Sequence, residues 1–202
     1  MPERPIAAIV LAAGASRRFG APNKLLAELG GRTLIARTLE AVAASGIADV
    51  IVVTGWESER VAQALAGQRV RLVHNPAWDT GMGSSVAVGI GAVDPACAGA
   101  LIVPGDMPLL SAQAVVALVA AFRAADAARV TYAVTPEGEQ RNPVIWPRRY
   151  FAPLRALSGP AGAKALLTEL APSDRCPVAV EASALTDIDT QAELAAVHRL
   201  AE

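Results

Sequence analysis

A chain of 202 residues with 18 Lys and Arg against 19 Asp and Glu carries a net charge of −1. No global basic field draws it to nucleic acid, so phosphate binding has to come from a loop and a few placed cations. The length suits one α/β domain over residues 1–202, and no apolar run reaches the roughly 20 residues of a membrane-spanning helix.

Residues 1–5 carry charge but no apolar stretch ending in a cleavage site, and the run 6–13 leads straight into a glycine turn. That reads as a strand and not a signal peptide, which makes the cytoplasm the expected compartment. Residues 6–11 are thus the first strand, followed by a helical period over 33–45, a β-branched strand at 49–54, a helix over 58–66 and a strand at 70–73. A short helix over 84–91 is weakened by two glycines. Next come a strand at 100–103 and the clearest helix, 111–125, with Ser111 as its N-cap. Strands at 130–134 and 144–146 flank a polar turn. Helices follow over 148–157, 162–170 and 191–201, with weak strands at 178–180 and 186–188. Strands apolar throughout and separated by helices predict a mainly parallel sheet covered on both faces. Ligands of such sheets sit at the carboxyl ends of the strands.

After the first strand the chain reads Leu11, Ala12, Ala13, Gly14, Ala15 and Ser16, then Arg18 and Lys24. Small residues let the backbone approach a ligand, and loop amides can cradle phosphate. Arg18 and Lys24 supply charge, although a tight turn with two surface cations has the same composition. The pattern is neither G-x-G-x-x-G nor a P-loop. After the strand at 100–103 come Pro104, Gly105 and Asp106. A carboxylate there suits a hard cation such as Mg²⁺, which takes one or two carboxylates plus substrate phosphates; a turn or capping role is the alternative.

Gly83, Ser84 and Ser85 offer amides and hydroxyls for an anion or a base edge, or else an N-cap. Asp187 and Asp189 share one face if extended, and either can complete a metal site with Asp106. Asp189 or Thr190 can instead cap the last helix, with Glu193 at capping-box spacing from Thr190. Arg141 and Asn142 can face an acceptor. Trp78 and Trp146 read as packing rather than base stacking. His74 and His198 have no metal-ligand partners at useful spacing, and Cys97 and Cys176 read as reduced thiols.

Taken in order, AIVLAAGASRRFG with NK, the NPAWDTGMGSS segment, LIVPGDMPLL, RNPVIWPRRYF, LSGPAGAKALL and DIDTQAEL resemble the MobA-like nucleotidyltransferases. The molybdenum cofactor cytidylyltransferase branch is the most similar. The resemblance implies a Rossmann-like three-layer α/β/α sandwich of the nucleotide-diphospho-sugar transferase type, with one antiparallel strand in a mostly parallel sheet. It implies transfer of CMP from CTP to a phosphorylated acceptor, molybdopterin first, with release of pyrophosphate. Leu11, Ala12, Ala13 and Gly14 would contact the nucleotide, with Ser16, Gly83, Ser84 and Ser85 beside it. Arg18 and Lys24 would hold phosphates, and Asp106 with Asp189 would hold Mg²⁺. Ala13 in the first loop goes with CTP. A transferase with another phosphorylated acceptor, or a non-catalytic nucleotide-binding partner of a molybdoenzyme, are the rival readings. Two departures, Pro160 in place of an acid and Arg141-Asn142 before Pro143, fall where the acceptor is expected.

Overall fold

The computed structural model describes residues 4–20 and 23–201; residues 1–3, part of the segment read as lacking a leader, lie outside them. In chain order the strands are β1 (Ile6–Ala12), β2 (Glu28–Leu29), β3 (Arg32–Thr33), β4 (Asp49–Thr54), β5 (Arg71–His74), β6 (Gly99–Pro104), β7 (Val130–Val134), β8 (Gln140–Pro147) and β9 (Arg175–Ala179). The α-helices are α1 (Leu34–Ala44), α2 (Ser58–Ala64), α3 (Met82–Gly91), α4 (Ala112–Ala124), α5 (Phe151–Arg155), α6 (Lys164–Glu169) and α7 (Gln191–Ala201).

Seven strands form one sheet in the order β5-β4-β1-β6-β8-β7-β9, and β2 and β3 make a separate hairpin. Of the seven, β8 alone runs antiparallel, against both β6 and β7. The chain leaves β1 on one side for β4 and β5 and returns on the other for β6. The order therefore reverses between β1 and β6, where a crevice opens at their carboxyl ends.

The period of two along each strand builds both cores. Ile6, Ala8, Val10 and Ala12 face the layer of α1, α2 and α4, while Ala7 and Ile9 face α3, α5 and α6. The same alternation in β4 sends Val50 and Val52 one way and Ile51 and Val53 the other. A polar residue on either side would lose its water, which is why the buried stretches 6–12 and 50–53 are apolar.

The helix over 84–91 survives its glycines because of packing. A Cβ at Gly89 would sit 2.5 Å from Ile9 Cγ2, so glycine lets α3 lie close on the sheet. Full burial of a residue such as Ile90 contributes about 1.5–3 kcal/mol, more than the roughly 1 kcal/mol that glycine costs in a helix.

Several predicted boundaries move. α3 begins at Met82, before Ser84, with Gly81 as its cap residue. Ser84 and Ser85 therefore lie inside the first turn and are not N-caps. Residues 186–188 are not a strand; Ile188 inserts into a small third core with Phe19, Leu29, Leu34 and Val197. The last strand spans Arg175–Ala179, and the helix expected over 162–170 is shortened to Lys164–Glu169. Residues 148–157 split into a 3-10 turn and α5. The β2–β3 hairpin has no counterpart in the sequence pattern; at two residues per strand it is too short for any periodicity. Among the described residues no helix is long and apolar enough to cross a membrane.

Candidate active site

The carboxyl ends of β1 and β6 lie side by side and are tied together through Gly105. Its amide donates to the Leu11 carbonyl at 2.9 Å, and its carbonyl accepts from Thr38 Oγ1 of α1 at 3.1 Å. The next carbonyl, of Asp106, accepts from the Ile188 amide at 3.0 Å. Three elements thus hold the backbone of Asp106 and leave its side chain to face the crevice. The loops near positions 14 and 106 converge on one cleft.

The loop after β1 is held from within. Ser16 has a φ of +52°, and its Oγ accepts from the Lys24 amide at 3.2 Å while donating to Asn23 Oδ1 at 3.3 Å. Asn23 Oδ1 also accepts from the Leu25 amide at 3.1 Å. The amides of Gly14, Ala15 and Arg17 have no acceptor among the described residues, which leaves donors for an anion. Asn23 is absent from the sequence-based candidates, although an Asn just before a short helical turn that begins at Lys24 is a capping signal.

The charges converge closely. Lys24 Nζ lies 2.5 Å from Asp106 Oδ2 and 2.8 Å from Asp189 Oδ1. Arg18 reaches Asp189 Oδ2 at 2.7 Å. Asp106 Oδ1 is buried and has no partner among the described residues. Burial pushes the Asp106 carboxyl above its ordinary pKa; Lys24 pulls it back and Asp187 adds to the rise. Burial opposes the Lys24 ammonium too, but Asp106 and Asp189 outweigh it and raise its pKa. Asp189 also resists charging through burial, and is nonetheless held below its ordinary value by Lys24 and Arg18.

A lowered Asp189 contributes stability that is fully present above its unfolded pKa and is lost as pH falls through its folded value. Asp189→Asn is accordingly expected to flatten the acid limb of a Tm-against-pH profile below pH 3.8. An acid limb identical to that of the parent chain refutes the linkage.

The two roles open to Asp189 and Thr190 are divided between them. Thr190 Oγ1 accepts from the Glu193 amide at 3.2 Å and Glu193 Oε2 accepts from the Thr190 amide at 2.8 Å, a reciprocal capping box. Asp189 keeps its carboxylate for Lys24 and Arg18.

Leu11, Ala13, Gly14, Ser16, Arg18, Lys24, Ser85, Asp106 and Asp189 line a cleft of about 390 Å³, together with Trp78, Met82 and Asp187. Three other residues of the sequence-based set do not line it. Ala12 is packed in the core. The Gly83 amide donates to Gly159 O at 2.9 Å, and Ser84 Oγ donates to Gly81 O at 2.8 Å while accepting from Asn75 Nδ2. Trp78 stands in the cleft wall beside Ala13, pressed across Gly55, where a Cβ would lie 2.5 Å from the Trp78 Cβ.

A second cavity of about 340 Å³ adjoins the first and shares Leu11, Met82, Pro104, Asn142 and Asp187 with it. Ile102, Val144 and Trp146 are in its wall, with Arg141 and Lys164 also lining it. Trp146 is a core residue, as its sequence context predicts. His198 is tied to the Glu28 carbonyl at 3.0 Å, and Cys97 and Cys176 are free thiols.

Among the described residues no group of three or more His, Cys, Asp or Glu stands ready to hold a metal. Asp106 and Asp189 nevertheless converge on one cation and Asp106 keeps an unpartnered oxygen. That hard-oxygen pair fits an ion whose remaining positions are filled by phosphate and water.

Rv0371c from Mycobacterium tuberculosis H37Rv has a similar structure: TM-score 0.84, 22% identity, covering 96% of this chain and 98% of that one. Its complex with manganese gives a TM-score of 0.78, at 22% identity and the same coverage. A CMP:2-keto-3-deoxy-manno-octonic acid synthetase complexed with CTP aligns with TM-score 0.78 at 18% identity, covering 98% of each chain. In sequence, the bifunctional protein GlmU of Sorangium cellulosum (strain So ce56) is 36% identical over 131 residues, 61% of this chain and 28% of GlmU. The chain thus spans under a third of that relative's length. The profile of the MobA-like NTP transferase domain matches residues 8–175, and the chain belongs to that nucleotidyltransferase family.

Proposed function

We propose that the chain transfers CMP from CTP to a phosphorylated small molecule, molybdopterin first among the candidates, and releases pyrophosphate. The observation that carries this reading is the meeting of Arg18, Lys24, Asp106 and Asp189 at a glycine-containing loop, in a cleft that opens into a second cavity. The first cleft suits a triphosphate and the second an acceptor; Asn142 and Asp187 stand where the two meet.

An acceptor phosphate oxygen attacks the α-phosphorus, a new P–O bond forms, and the bond to the β-phosphate breaks with pyrophosphate taking the electron pair. A phosphate monoester is already anionic near neutral pH, so alignment and charge neutralisation are the enzyme's task. The loop amides and Arg18 hold phosphate oxygens, and Lys24 stabilises charge that builds up during transfer. Asp106 and Asp189 would hold Mg²⁺, which neutralises phosphate charge as a Lewis acid. Support for a divalent ion comes from the oxygen pair itself and from the manganese complex of Rv0371c.

The test is pyrophosphate release with each NTP, with and without Mg²⁺, over a panel of phosphorylated acceptors including molybdopterin. CTP- and acceptor-dependent release is expected. No release with any NTP overturns the reading and favours a nucleotide-binding accessory role for a molybdoenzyme. Release with a different acceptor keeps the chemistry and drops molybdopterin; Arg141, Asn142 and Pro160, which line the acceptor cavity, are the residues that favour this second reading.

With the charged groups given to the phosphates, Trp78 is the aromatic side chain of the cleft wall that is left to meet the base. Trp78→Ala is expected to weaken CTP about tenfold in a calorimetric titration, with Trp78→Phe close to the parent, because an aromatic face contributes ~1–3 kcal/mol per base. Equal CTP affinity in the alanine variant would return Trp78 to packing alone.

A further inference from the structure

Two cations and two carboxylates of the cleft, Arg18, Lys24, Asp106 and Asp189, are spent on one another. Of the four carboxylate oxygens of Asp106 and Asp189, Lys24 fills two and Arg18 a third. The fourth, Asp106 Oδ1, is buried without a partner among the described residues. The groups suited to the metal thus occupy the groups suited to the triphosphate. The Lys24 and Asp106 side chains are only 15% and 14% exposed, so water is a poor substitute for a missing partner there.

We propose that Lys24 is the resident occupant of the cation position between Asp106 and Asp189, and that metal and nucleotide enter by exchanging partners with it. A divalent ion arriving alone displaces the ammonium and strands Lys24 and Arg18 without anions. A triphosphate arriving alone draws both cations off and leaves two carboxylates facing each other beside phosphate. Arriving together, the ion takes the carboxylates and the phosphates take Lys24 and Arg18, and all four of these side chains are paired. Stranded charge in a poorly hydrated site is costly, so each ligand tightens the other, and by the same factor. A divalent ion or a free phosphate is in this way disfavoured when it arrives by itself. The inference rests on the nucleotidyltransferase reading for the identity of the two ligands.

The deciding variant is Lys24→Met, with Mn²⁺ as probe, followed by the electron paramagnetic resonance signal of the free ion, and CTP titrated calorimetrically in chelator. Removal of an adjacent like charge should tighten Mn²⁺ alone by about tenfold, while CTP weakens by about tenfold or more. Opposite movements of the two affinities are not produced by a general loosening of the fold. Arg18→Gln alters a side chain that is 75% exposed and is expected to tighten Mn²⁺ by about twofold, in the same direction but less. Mn²⁺ affinity unchanged or weaker in Lys24→Met overturns the exchange.

The unmutated protein gives an independent readout. Lys24 and Lys164 are its two lysines, so an ε-¹⁵N-lysine spectrum holds two ammonium signals, assigned with Lys164→Met. The Lys24 signal is expected to move on addition of Mg²⁺ with CTP, and a stationary signal when both ligands bind also overturns the exchange. Failure of CTP to bind even with metal present sinks the nucleotidyltransferase reading instead, and the Mn²⁺ comparison still decides the role of Lys24.

Discussion

Asp106→Ala is expected to lower CTP-dependent pyrophosphate release by at least about a hundredfold, which corresponds to the ~3 kcal/mol typical of removing one electrostatic interaction at a transition state. The fold should survive, because the backbone holds this corner. The hydrogen bonds that fix its backbone use the main chain of Gly105 and Asp106 or the hydroxyl of Thr38, whereas the carboxylate's partner is the Lys24 ammonium. The carboxylate is therefore not needed to keep the loop in place. Its removal also relieves a burial cost, since burial raises the Asp106 pKa. Lys24 keeps Asp189 at 2.8 Å. Melting should accordingly stay within about 4 °C of the parent, the shift produced by roughly 1–2 kcal/mol in a chain of this size. Asp106→Asn keeps the shape and removes only the charge, and should reduce turnover to a similar degree. Near-normal release by either variant, with an unchanged circular dichroism spectrum, removes Asp106 from the chemistry.

Much of this corner is legible in the sequence because it depends on strand ends. Unbroken apolar runs ending near Ala12 and Pro104 read as buried strands, and residues just past the carboxyl ends of such strands face the crevice; that the two strands are neighbours is seen only in the fold. Arg18, Lys24 and Asp106 stand out as candidates because of their places after those ends. The pairing of Asp189 with Lys24 is not legible, because it depends on how α7 docks. That docking is set by Ile188 and Val197 entering a small core with Phe19 and Leu34, contacts between segments over 150 residues apart with no local signature. For the same reason residues 186–188 resemble a strand: Ile188 is apolar for a core, not for a sheet. Thr190 and Glu193 are legible as a box, yet only the structure shows that the box leaves Asp189 to the cleft. Ser84 and Ser85 look like caps because hydroxyls at a helix start usually are. Here Asn75 engages both of them and glycine supplies the cap.

Gly81→Ala carries the second large effect. The residue has φ +125° and ψ 175°, a region open essentially to glycine alone, where a side chain costs about 1–3 kcal/mol. Sterics add to this. A Cβ would lie 2.4 Å from Gly159 O, 2.5 Å from Gly159 C and 2.6 Å from Pro160 N. These are backbone atoms of the segment that accepts from the Gly83 amide, and they cannot rotate away as a side chain would. The loop at 81–83 and the segment at 158–160 are therefore interlocked main chain on main chain. Separating them should cost about 3 kcal/mol in total, a fall in Tm of roughly 6–12 °C for a chain of this length. Gly67→Ala separates the two causes: its φ is +84° and nothing lies within 4 Å of the added carbon, so it should show only the conformational part, about 1 kcal/mol. The interlock also joins the two cavities, since Gly81 and Met82 line the cleft while Pro160 and Ala161 line its neighbour. Gly81→Ala should then raise the KM for CTP and for the acceptor together, whereas Gly67→Ala should leave both where they were. Thermal unfolding and initial rates on the two variants decide it: equal falls in Tm mean that the approach to residues 159–160 contributes nothing, and an unchanged KM pair means that the interlock is structural and does not shape the site.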